Sequence, residues 1–415
     1  NTQVRFANIS LKVSDEFMQA VDEQTKHGKD KIIIYKKNTK RIDPVIQDEA
    51  SLHYSFNIPS KNIEEYEELG VYNTISEANE ALTPYDTSFT AEDLDDENKR
   101  NVFGDLILTP DAEHEIAIRK SGDFMLYFHT PNAGEIKEMV KARDIWDPFV
   151  AGNYKTAEPG LIFWSTMTKY SPSNYVGKPV ISTNPCGEVP LEDGGACNLG
   201  SINLSRFVKN GYAENAEIDW DTLKEVTYDV IRFLDNVVFW NETLNPLQKQ
   251  RSAANETKRL GLGVMGIADM LNQLGIGYDS DEGIALLEKI SKFIANHSYR
   301  ASALLAEEKG PSPIYDYNTY SKNPFFQESL DDETKALVKE KGLRNIAILS
   351  IAPTGTISNV VLGYTNGNNY YVGVSGGIEP IFALYYTRRS ESFGNKMFKV
   401  FHSTVQAYLD KIGKL

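Results

Sequence analysis

The chain of 415 residues has few cysteines, a deficit of positive charge and no long apolar run. Its two cysteines, Cys186 and Cys197, are too few for a disulfide scaffold in a protein of this length. With 43 basic and 58 acidic side chains the formal net charge is −15, which argues against a nucleic-acid backbone as the main partner. No stretch approaches the roughly 18 consecutive apolar residues of a membrane-spanning helix, and the polar N-terminal residues lack the apolar core of a signal peptide. These absences predict a cytoplasmic protein, and its 41% hydrophobic and 24% charged residues are typical of a globular one.

The sequence also lacks internal repeats and any Gly/Ser-rich or Pro-rich linker. Residues 6–13 predict a strand, and Ser14 predicts the start of a helix directly after it. Residues 27–130 are rich in charged and turn residues and contain only short apolar clusters. We therefore predict three regions, which are a strand and helix in residues 1–26, an insertion or subdomain in residues 27–130, and a main domain in residues 131–415.

The third region contains apolar residues at helical spacing and, between them, short continuous apolar runs. These patterns predict helices over residues 136–153, 219–241 and 279–309, and strands over residues 161–164 and 344–352. The second helix has a predicted apolar face that includes Leu223 and Phe233. The third is predicted to begin with Asp279 as its N-cap and to stop at Gly310. Alternating strands and helices indicate the α/β class.

The pentapeptide around the first cysteine places three chemically useful side chains close together. Pro185 and Gly187 exclude a regular helix or a central strand, so Cys186 is predicted to lie in a tight loop. Glu188 is a candidate general base, and Asn184 is a candidate for orienting a substrate by hydrogen bonding. A buried cysteine in an ordinary turn is the alternative interpretation, because free cysteine is among the most buried residue types.

The second cysteine lies 11 positions downstream, beyond a proline and two adjacent glycines. These residues allow the chain to turn back and bring Cys197 near Cys186, although spacing alone does not establish a disulfide. Neither the cysteines nor the six histidines have the spacing of a zinc site, so no metal is expected. A simple dithiol oxidoreductase is another interpretation, but the CxxC arrangement that lowers a thiol pKa is missing.

The predicted strand over residues 344–352 leads into a short segment rich in hydroxyl groups. This hydroxyl-rich segment comprises Pro353, Thr354, Gly355, Thr356, Ile357 and Ser358. Backbone N–H groups and hydroxyls in such a loop suit the oxygen atoms of phosphate groups. The segment lacks the lysine of a P-loop, which argues against a nucleoside triphosphatase. A turn that merely ends a strand is the alternative interpretation.

Five segments, in this order, resemble the catalytic subunit of ribonucleotide reductases. They are residues 184–188 (NPCGE), 196–204 (ACNLGSINL), 259–269 (RLGLGVMGIAD), 352–359 (APTGTISN) and 375–389 (SGGIEPIFALYYTRR). The resemblance implies an α/β fold in the form of a ten-stranded α/β barrel, built from two five-stranded parallel halves around a central finger loop. This chain would supply only part of that barrel. Residues 131–415 would hold the catalytic barrel, the finger loop and the phosphate-binding segment.

The resemblance implies a role for each candidate residue. Cys186 becomes a thiyl radical that takes the hydrogen atom from the 3′ carbon of the ribose. Glu188 accepts the proton of the 3′-hydroxyl, and Asn184 hydrogen-bonds to the ribose hydroxyls. Cys197 is one of two cysteines that supply reducing equivalents when the 2′-hydroxyl leaves as water. Residues 353–358 hold the substrate phosphates.

Two departures from the pattern of this family bear on how the chain works. A third active-site cysteine is missing, and so are counterparts of the N-terminal region and of the C-terminal tail. The expectation is that the chain was trimmed or that a second polypeptide supplies the rest. The 415-residue chain alone is therefore not expected to reduce ribonucleotides, and robust turnover by the purified chain would overturn this expectation.

The same resemblance implies cofactors and partners. The NPCGE form is most similar to the adenosylcobalamin-dependent branch, and an oxygen-dependent subunit that takes its radical from a separate subunit is the alternative. Expected partners are a ribonucleoside di- or triphosphate, a nucleotide effector, an external dithiol such as thioredoxin and, in the complete enzyme, a second copy. The competing hypothesis is a non-catalytic nucleotide-binding fragment.

Overall fold

The structure is a computed structural model that describes residues 8–38, 63–130, 134–361, 364–366, 369–371, 373–381, 383–390, 394–401 and 405. The chain forms two compact units, and the boundary between them lies between Tyr170 and Ser171. In the ranges just given, no helix is both long enough and apolar enough to cross a membrane.

The first unit, residues 1–170, contains a four-stranded antiparallel sheet, a hairpin and one parallel strand pair. Its strands are β1 Ser10–Val13, β2 Ile32–Asn38, β3 Tyr66–Tyr72, β4 Leu106–Leu108, β5 His114–Lys120, β6 Asp123–Thr130, β7 Gly134–Lys141 and β8 Gly160–Phe163. Its helices are α1 Asp15–His27, α2 Ile75–Leu82, α3 Ala91–Asp95, α4 Ala142–Thr156 and α5 Trp164–Tyr170. The sheet has the order β3-β2-β5-β4, β6 pairs with β7, and β1 runs parallel to β8.

The four-stranded sheet lies within the predicted insertion and has a hydrophobic core of its own. Ile34, Ile116 and Ile118 are fully buried and share a cluster with Ala78 and Leu82 of α2. The predicted boundaries of the three sequence regions remain a prediction.

The second unit, residues 171–415, carries every candidate site residue. Its strands are β9 Val180–Thr183, β10 Pro190–Glu192, β11 Asn198–Asn203, β12 Val208–Lys209, β13 Glu217–Ile218, β14 Leu260–Met265, β15 Tyr364–Asn366, β16 Asn369–Tyr371, β17 Tyr385–Ser390 and β18 Lys396–Phe401. Its helices are α6 Trp220–Leu244, α7 Gln248–Thr257, α8 Ile267–Leu274, α9 Asp281–Lys309, α10 Tyr317–Tyr320, α11 Pro324–Ser329 and α12 Asp332–Lys341. The pairs β9–β10, β12–β13, β15–β16 and β17–β18 are antiparallel, whereas β11 and β14 are parallel.

Strand β14 holds the centre of the second unit together. It is buried over its whole length and pairs with β11 in a continuous register that starts with Asn198 opposite Leu260. The N–H of Leu262 donates to the carbonyl of Ile348 at 2.8 Å, and the N–H of Ser350 donates back to Leu262 at 2.9 Å. Strand β14 therefore fixes the strand that follows Cys197 relative to the chain that leads into the hydroxyl-rich segment.

Gly263 of β14 leaves no room for a side chain. An added Cβ atom would come within 2.3 Å of the carbonyl oxygen of Ser350. We expect Gly263→Ala to lower the free energy of unfolding by about 1–3 kcal/mol, because neither backbone segment moves away without breaking the parallel pairing. Urea unfolding measures this change. Gly355→Ala is the matched control, since an added Cβ there meets nothing within 4 Å; equal losses for the two variants would contradict the expectation.

The structure confirms the predicted helix start at Ser14, whose side chain accepts the N–H of Phe17 at 3.3 Å. The predicted helix over residues 136–153 is wrong in its first turns, because residues 136–141 belong to β7. Eight register pairs with β6 outweigh the local helical spacing. Helix α4 begins only at Ala142.

Helices α6 and α9 confirm the two long helices, with corrections to one face and one cap. Leu223 and Leu234 are buried in α6, but Phe233 is 64% exposed because it lies beside the buried stripe rather than on it. Ser280, not Asp279, caps α9, since its Oγ accepts the N–H of Gly283 at 3.0 Å. Gly310 ends this helix as predicted.

The strand predicted over residues 344–352 is also wrong in extent. Only Leu349 forms a bridge, with Leu262. The start of the segment is held by side chains instead, because Arg344 and Asn345 both donate to the buried carboxylate of Asp235. Strand β8 confirms the strand predicted near residues 161–164. The mixture of helices and sheets agrees with the predicted α/β class, but the described ranges contain no closed barrel, so ten strands remain a prediction.

Candidate active site

The tip of the hairpin between β9 and β10, residues 184–189, carries the first candidate motif. Asn184 closes it, because its Oδ1 accepts the N–H of Val189 at 3.0 Å and its carbonyl accepts the N–H of Gly187 at 3.1 Å. Gly187 has a φ of 87°, a conformation that favours glycine. Cys186 is exposed at this hairpin tip and forms no disulfide. The predicted tight loop is confirmed, and the alternative of a buried cysteine is wrong.

Glu188 continues the hairpin tip and places one carboxylate oxygen in the interior. Its Oε2 atom is buried and has no hydrogen-bond partner among the residues that the structure describes. The carbonyl of Glu188 accepts a hydrogen bond from Ser350 Oγ at 3.4 Å, which joins the hairpin tip to the chain just before Pro353. Burying a carboxylate oxygen without a donor costs free energy, so the hydroxyl of a ligand would be stabilised at this atom.

Cys197 lies immediately before β11 and is half-buried. An added Cβ on Gly261 would come within 2.6 Å of its Sγ, so the thiol lies directly over this glycine of β14. Burial raises the pKa of the Cys197 thiol to about 11; Arg259 acts to lower this pKa, and Glu188 and Glu192 act to raise it. Gly263 of the same strand packs against Ser350, which bonds to the carbonyl of Glu188, so β14 joins the second cysteine to the hairpin tip.

The hydroxyl-rich segment forms a loop that continues into a short 3-10 helix, Ile357–Val360. Thr354 has a φ of 55°, a left-handed conformation that strains a β-branched residue. Its Oγ1 is buried and, within the described ranges, has no hydrogen-bond partner. Ser358 is buried, and its hydroxyl donates to the carbonyl of Gly355 at 3.0 Å. The other members, Pro353, Gly355, Thr356 and Ile357, are exposed.

A glycine-rich motif with no role assigned from sequence packs against the hydroxyl-rich segment. An added Cβ on Gly377 would come within 2.7 Å of the carbonyl oxygen of Pro353 and 3.1 Å of Thr354 Oγ1. Ser375 donates its backbone N–H to the buried carboxylate of Asp269 at 3.0 Å. The bond between Ser375 and Asp269 spans 106 positions, so the SGG triplet was the only signal that sequence offered.

The arrangement combines an exposed thiol, a carboxylate with a buried oxygen, a second thiol and a polar loop in which Thr354 is strained. Such a set suits redox chemistry on a small polar molecule, with the loop placed to hold its anionic end. These groups are supported by residues that were not predicted as site residues, namely Ser350, Gly377, Arg259 and Glu192. No cluster of three or more His, Cys, Asp or Glu side chains suited to a metal ion occurs in the part of the chain that the structure describes.

Comparison with known families gives a match over most of the chain. The family described as "Ribonucleotide reductase, barrel domain" matches residues 52–414. This range includes the hairpin tip, Cys197 and the hydroxyl-rich segment.

Curated relatives match about three fifths of the chain. A vitamin B12-dependent ribonucleoside-diphosphate reductase of Thermoplasma acidophilum is 39% identical over 258 residues, which cover 62% of this chain and 29% of the relative. The protein of the same name in Mycobacterium tuberculosis is 35% identical over 62% of this chain and 31% of its own length. A ribonucleoside-diphosphate reductase subunit alpha of Chlamydia pneumoniae is 32% identical over 62% of this chain and 25% of its own length. The matched part thus spans less than a third of each of these relatives.

Proposed function

The chain belongs to the family of ribonucleotide reductase barrel domains, and from this membership we propose that it carries the catalytic site of a ribonucleotide reductase. Such an enzyme converts ribonucleotides to 2′-deoxyribonucleotides, the precursors of DNA. One observation carries the proposal: the hairpin tip holds the exposed thiol of Cys186 and, two positions on, Oε2 of Glu188, which has no partner among the described residues. Ser350 joins this tip to β14, and the thiol of Cys197 lies over Gly261 of the same strand.

The first half of the reaction uses the hairpin tip. As a thiyl radical, Cys186 takes the hydrogen atom from C3′ of the ribose, so an S–H bond forms and the unpaired electron passes to C3′. Glu188 accepts the proton of the 3′-hydroxyl, for which its buried Oε2 is a suitable acceptor. Asn184 uses its Oδ1 on the N–H of Val189, which leaves its NH2 group to donate to a ribose hydroxyl.

The second half of the reaction consumes two thiols. The 2′-hydroxyl leaves as water, and the two electrons that replace it come from a pair of cysteines that become a disulfide. Cys197 is one member of this pair, and the other is a cysteine supplied from outside these 415 residues, which hold only Cys186 and Cys197. Cys186 then returns the hydrogen atom to C3′ and regains the radical. An external dithiol such as thioredoxin reduces the disulfide before the next turnover.

The hydroxyl-rich segment holds the substrate phosphates in this proposal. Backbone N–H groups and hydroxyls of residues 353–358 would donate to phosphate oxygens. The strained backbone of Thr354 supports a binding role, because strain persists where the surrounding structure enforces it. Its Oγ1, which has no partner among the described residues, is free to bond to a ligand. The contact of Ser350 with the carbonyl of Glu188 would keep the ribose end and the phosphate end of the site in register.

Adenosylcobalamin is the proposed radical source, as the names of the relatives from Thermoplasma and Mycobacterium indicate for those proteins. The exposed position of Cys186 fits this cofactor, because a radical source must reach the thiol from outside the hairpin. When bound, adenosylcobalamin supplies the one-electron chemistry that removes a hydrogen atom from a thiol. Cys186 is the residue of this chain that would face it.

The finer fold is part of the same proposal. We infer that β11, β14 and the chain at Leu349 are neighbouring strands in one five-stranded half of a ten-stranded barrel. Their parallel pairing and the complete burial of β14 support this arrangement, because strands covered on both faces are typical of parallel α/β sheets. The hairpin tip would be the finger loop inside that barrel.

The proposal is tested by measuring deoxynucleotide formation with the complete assembly, with and without adenosylcobalamin. We expect product only when adenosylcobalamin and a dithiol are both present. Product that instead requires a second protein would replace this radical source by that of the oxygen-dependent alternative. An assembly that binds nucleotides but forms no product under either condition would contradict a catalytic role and favour a binding fragment.

A further inference from the structure

The hairpin that carries Cys186 has a short base. Strands β9 and β10 share only three register pairs, and the register shifts between Leu191 and Glu192. A two-stranded hairpin of this length is marginally stable by itself. Contacts outside the ladder are therefore needed to hold the hairpin tip in one place.

Glu192, at the end of β10, supplies such a contact. Its side chain is 4% exposed, and both of its oxygen atoms accept hydrogen bonds. Oε2 accepts from Nη2 of Arg259 at 2.5 Å and from Nε of the same residue at 3.2 Å. Oε1 accepts from the hydroxyl of Thr257 at 2.8 Å. The carboxylate is therefore fully paired in the interior, which is the arrangement that makes a buried charge tolerable.

The surrounding chain is shaped to admit this ion pair. An added Cβ on Gly195 would lie 3.0 Å from the carboxylate carbon of Glu192, so a larger residue would crowd the Glu192 side chain. Arg259, 5% exposed, also donates to the buried hydroxyl of Ser173 at 3.2 Å, just ahead of β9. The pair thus binds both ends of the hairpin to the chain that enters β14.

Arg259 precedes β14 just as Cys197 precedes β11, the strand paired with it. Asn198 is opposite Leu260 in the parallel register, so Cys197 and Arg259 occupy corresponding positions one residue earlier. Three charged groups act on the Cys197 thiol from the elements around it: Arg259 before β14, Glu188 on the hairpin tip and Glu192 on β10.

We propose that Arg259 and Glu192 are positioning residues: their buried ion pair holds the base of the hairpin to the chain that enters β14, and the charge of Arg259 favours the thiolate of Cys197. The inference rests on the proposed function for its purpose, because a reductase needs both thiols at fixed positions around one substrate. Electrostatics supports it, since Arg259 stabilises the Cys197 thiolate and Glu192 opposes it.

The test uses the 415-residue chain with Cys186→Ser, in which Cys197 is the remaining thiol. Iodoacetamide is the probe: its carbon bonds to the thiolate sulfur as iodide leaves, so the rate reports the thiolate fraction at each pH. We expect Arg259→Gln to slow alkylation at about pH 9 roughly threefold, and Glu192→Gln to accelerate it roughly threefold, each equal to about half a pKa unit. Arg259→Lys keeps the positive charge and should restore a rate close to that of the parent.

Opposite changes in the alkylation rate of the two amide variants distinguish this role from simple support of the fold. Both amide variants break the same ion pair, so a merely structural pair predicts that both expose Cys197 and accelerate alkylation. The proposal would be overturned if both variants changed the alkylation rate in the same direction, or if Glu192→Gln left it unchanged. The rate of Glu192→Gln can be interpreted even if Arg259→Gln fails to fold. Arg232→Gln, which breaks the exposed pair with Glu308, is the matched control and should leave the rate unchanged. Alkylation needs no turnover, so this outcome is independent of whether the reductase assay succeeds.

Discussion

Replacing Cys186 with serine is expected to lower deoxynucleotide formation by the complete reductase at least about a thousandfold, while nucleotide affinity is unchanged. The hydroxyl of serine holds its hydrogen too strongly to become the radical that abstracts from C3′. The substitution replaces a sulfur atom by an oxygen atom at an exposed position. The hydrogen bonds that close the hairpin tip should therefore persist. Product is measured by chromatography and affinity by calorimetry with the ribonucleotide.

Two results would separate this prediction from its alternatives. Retained turnover in Cys186→Ser would exclude Cys186 as the radical carrier. Loss of nucleotide binding together with turnover would mean that the thiol supports the fold rather than the chemistry. Ser182→Ala, at an exposed position of β9 in the same hairpin, is the control for disturbance of the hairpin and should keep full activity.

Glu188→Gln is expected to reduce kcat by about 10²–10⁴-fold with little change in KM, the range typical of a lost general base. The amide has the shape of the carboxylate but does not accept the proton of the 3′-hydroxyl. Initial rates over a range of ribonucleotide concentrations separate the two constants. Because Oε2 of Glu188 has no protein partner in the described ranges, the loss should come from the missing acceptor rather than from a broken internal bond.

Asp193→Asn is the matched control for Glu188→Gln. Asp193 lies just after β10 and pairs with Lys249 at the surface, where both side chains are largely exposed. Removing its charge should therefore leave kcat unchanged, since exposed ion pairs contribute little. An equal loss in the two variants would point to the general charge of this region, and an unchanged kcat in Glu188→Gln would exclude the carboxylate as the base.

Local patterns in the sequence predicted the helices and the tight loop well. Ser14 and Gly310 act on their immediate neighbours, and Pro185 and Gly187 restrict the backbone on either side of Cys186, so adjacent residues sufficed. The prediction over residues 136–141 failed because a hairpin partner decides that segment. The strand over residues 344–352 was wrong in extent, because the buried carboxylate of Asp235 holds the start of that segment. Neither influence is visible in a window of neighbouring residues.

The candidate site shows the same limit more strongly. Sequence identified Cys186, Glu188 and Cys197 through motifs that resemble a family. It did not reveal that Glu192 pairs with Arg259, 67 positions away, or that Ser350 bonds to the carbonyl of Glu188 across 162 positions. Pairing across such distances depends on the fold, and the charged residues involved look like ordinary surface residues in the sequence.

The contact of Gly377 with the hydroxyl-rich segment forms late in the synthesis of the chain. The segment is not supported until Gly377 has left the ribosome, roughly 190 residues after Cys186, and at about 5–20 residues per second this takes about ten to forty seconds. During that interval the nascent chain carries the thiol of Cys186 on a hairpin whose surroundings are incomplete. An oxidant that reaches the nascent chain therefore meets Cys186 before any catalysis begins.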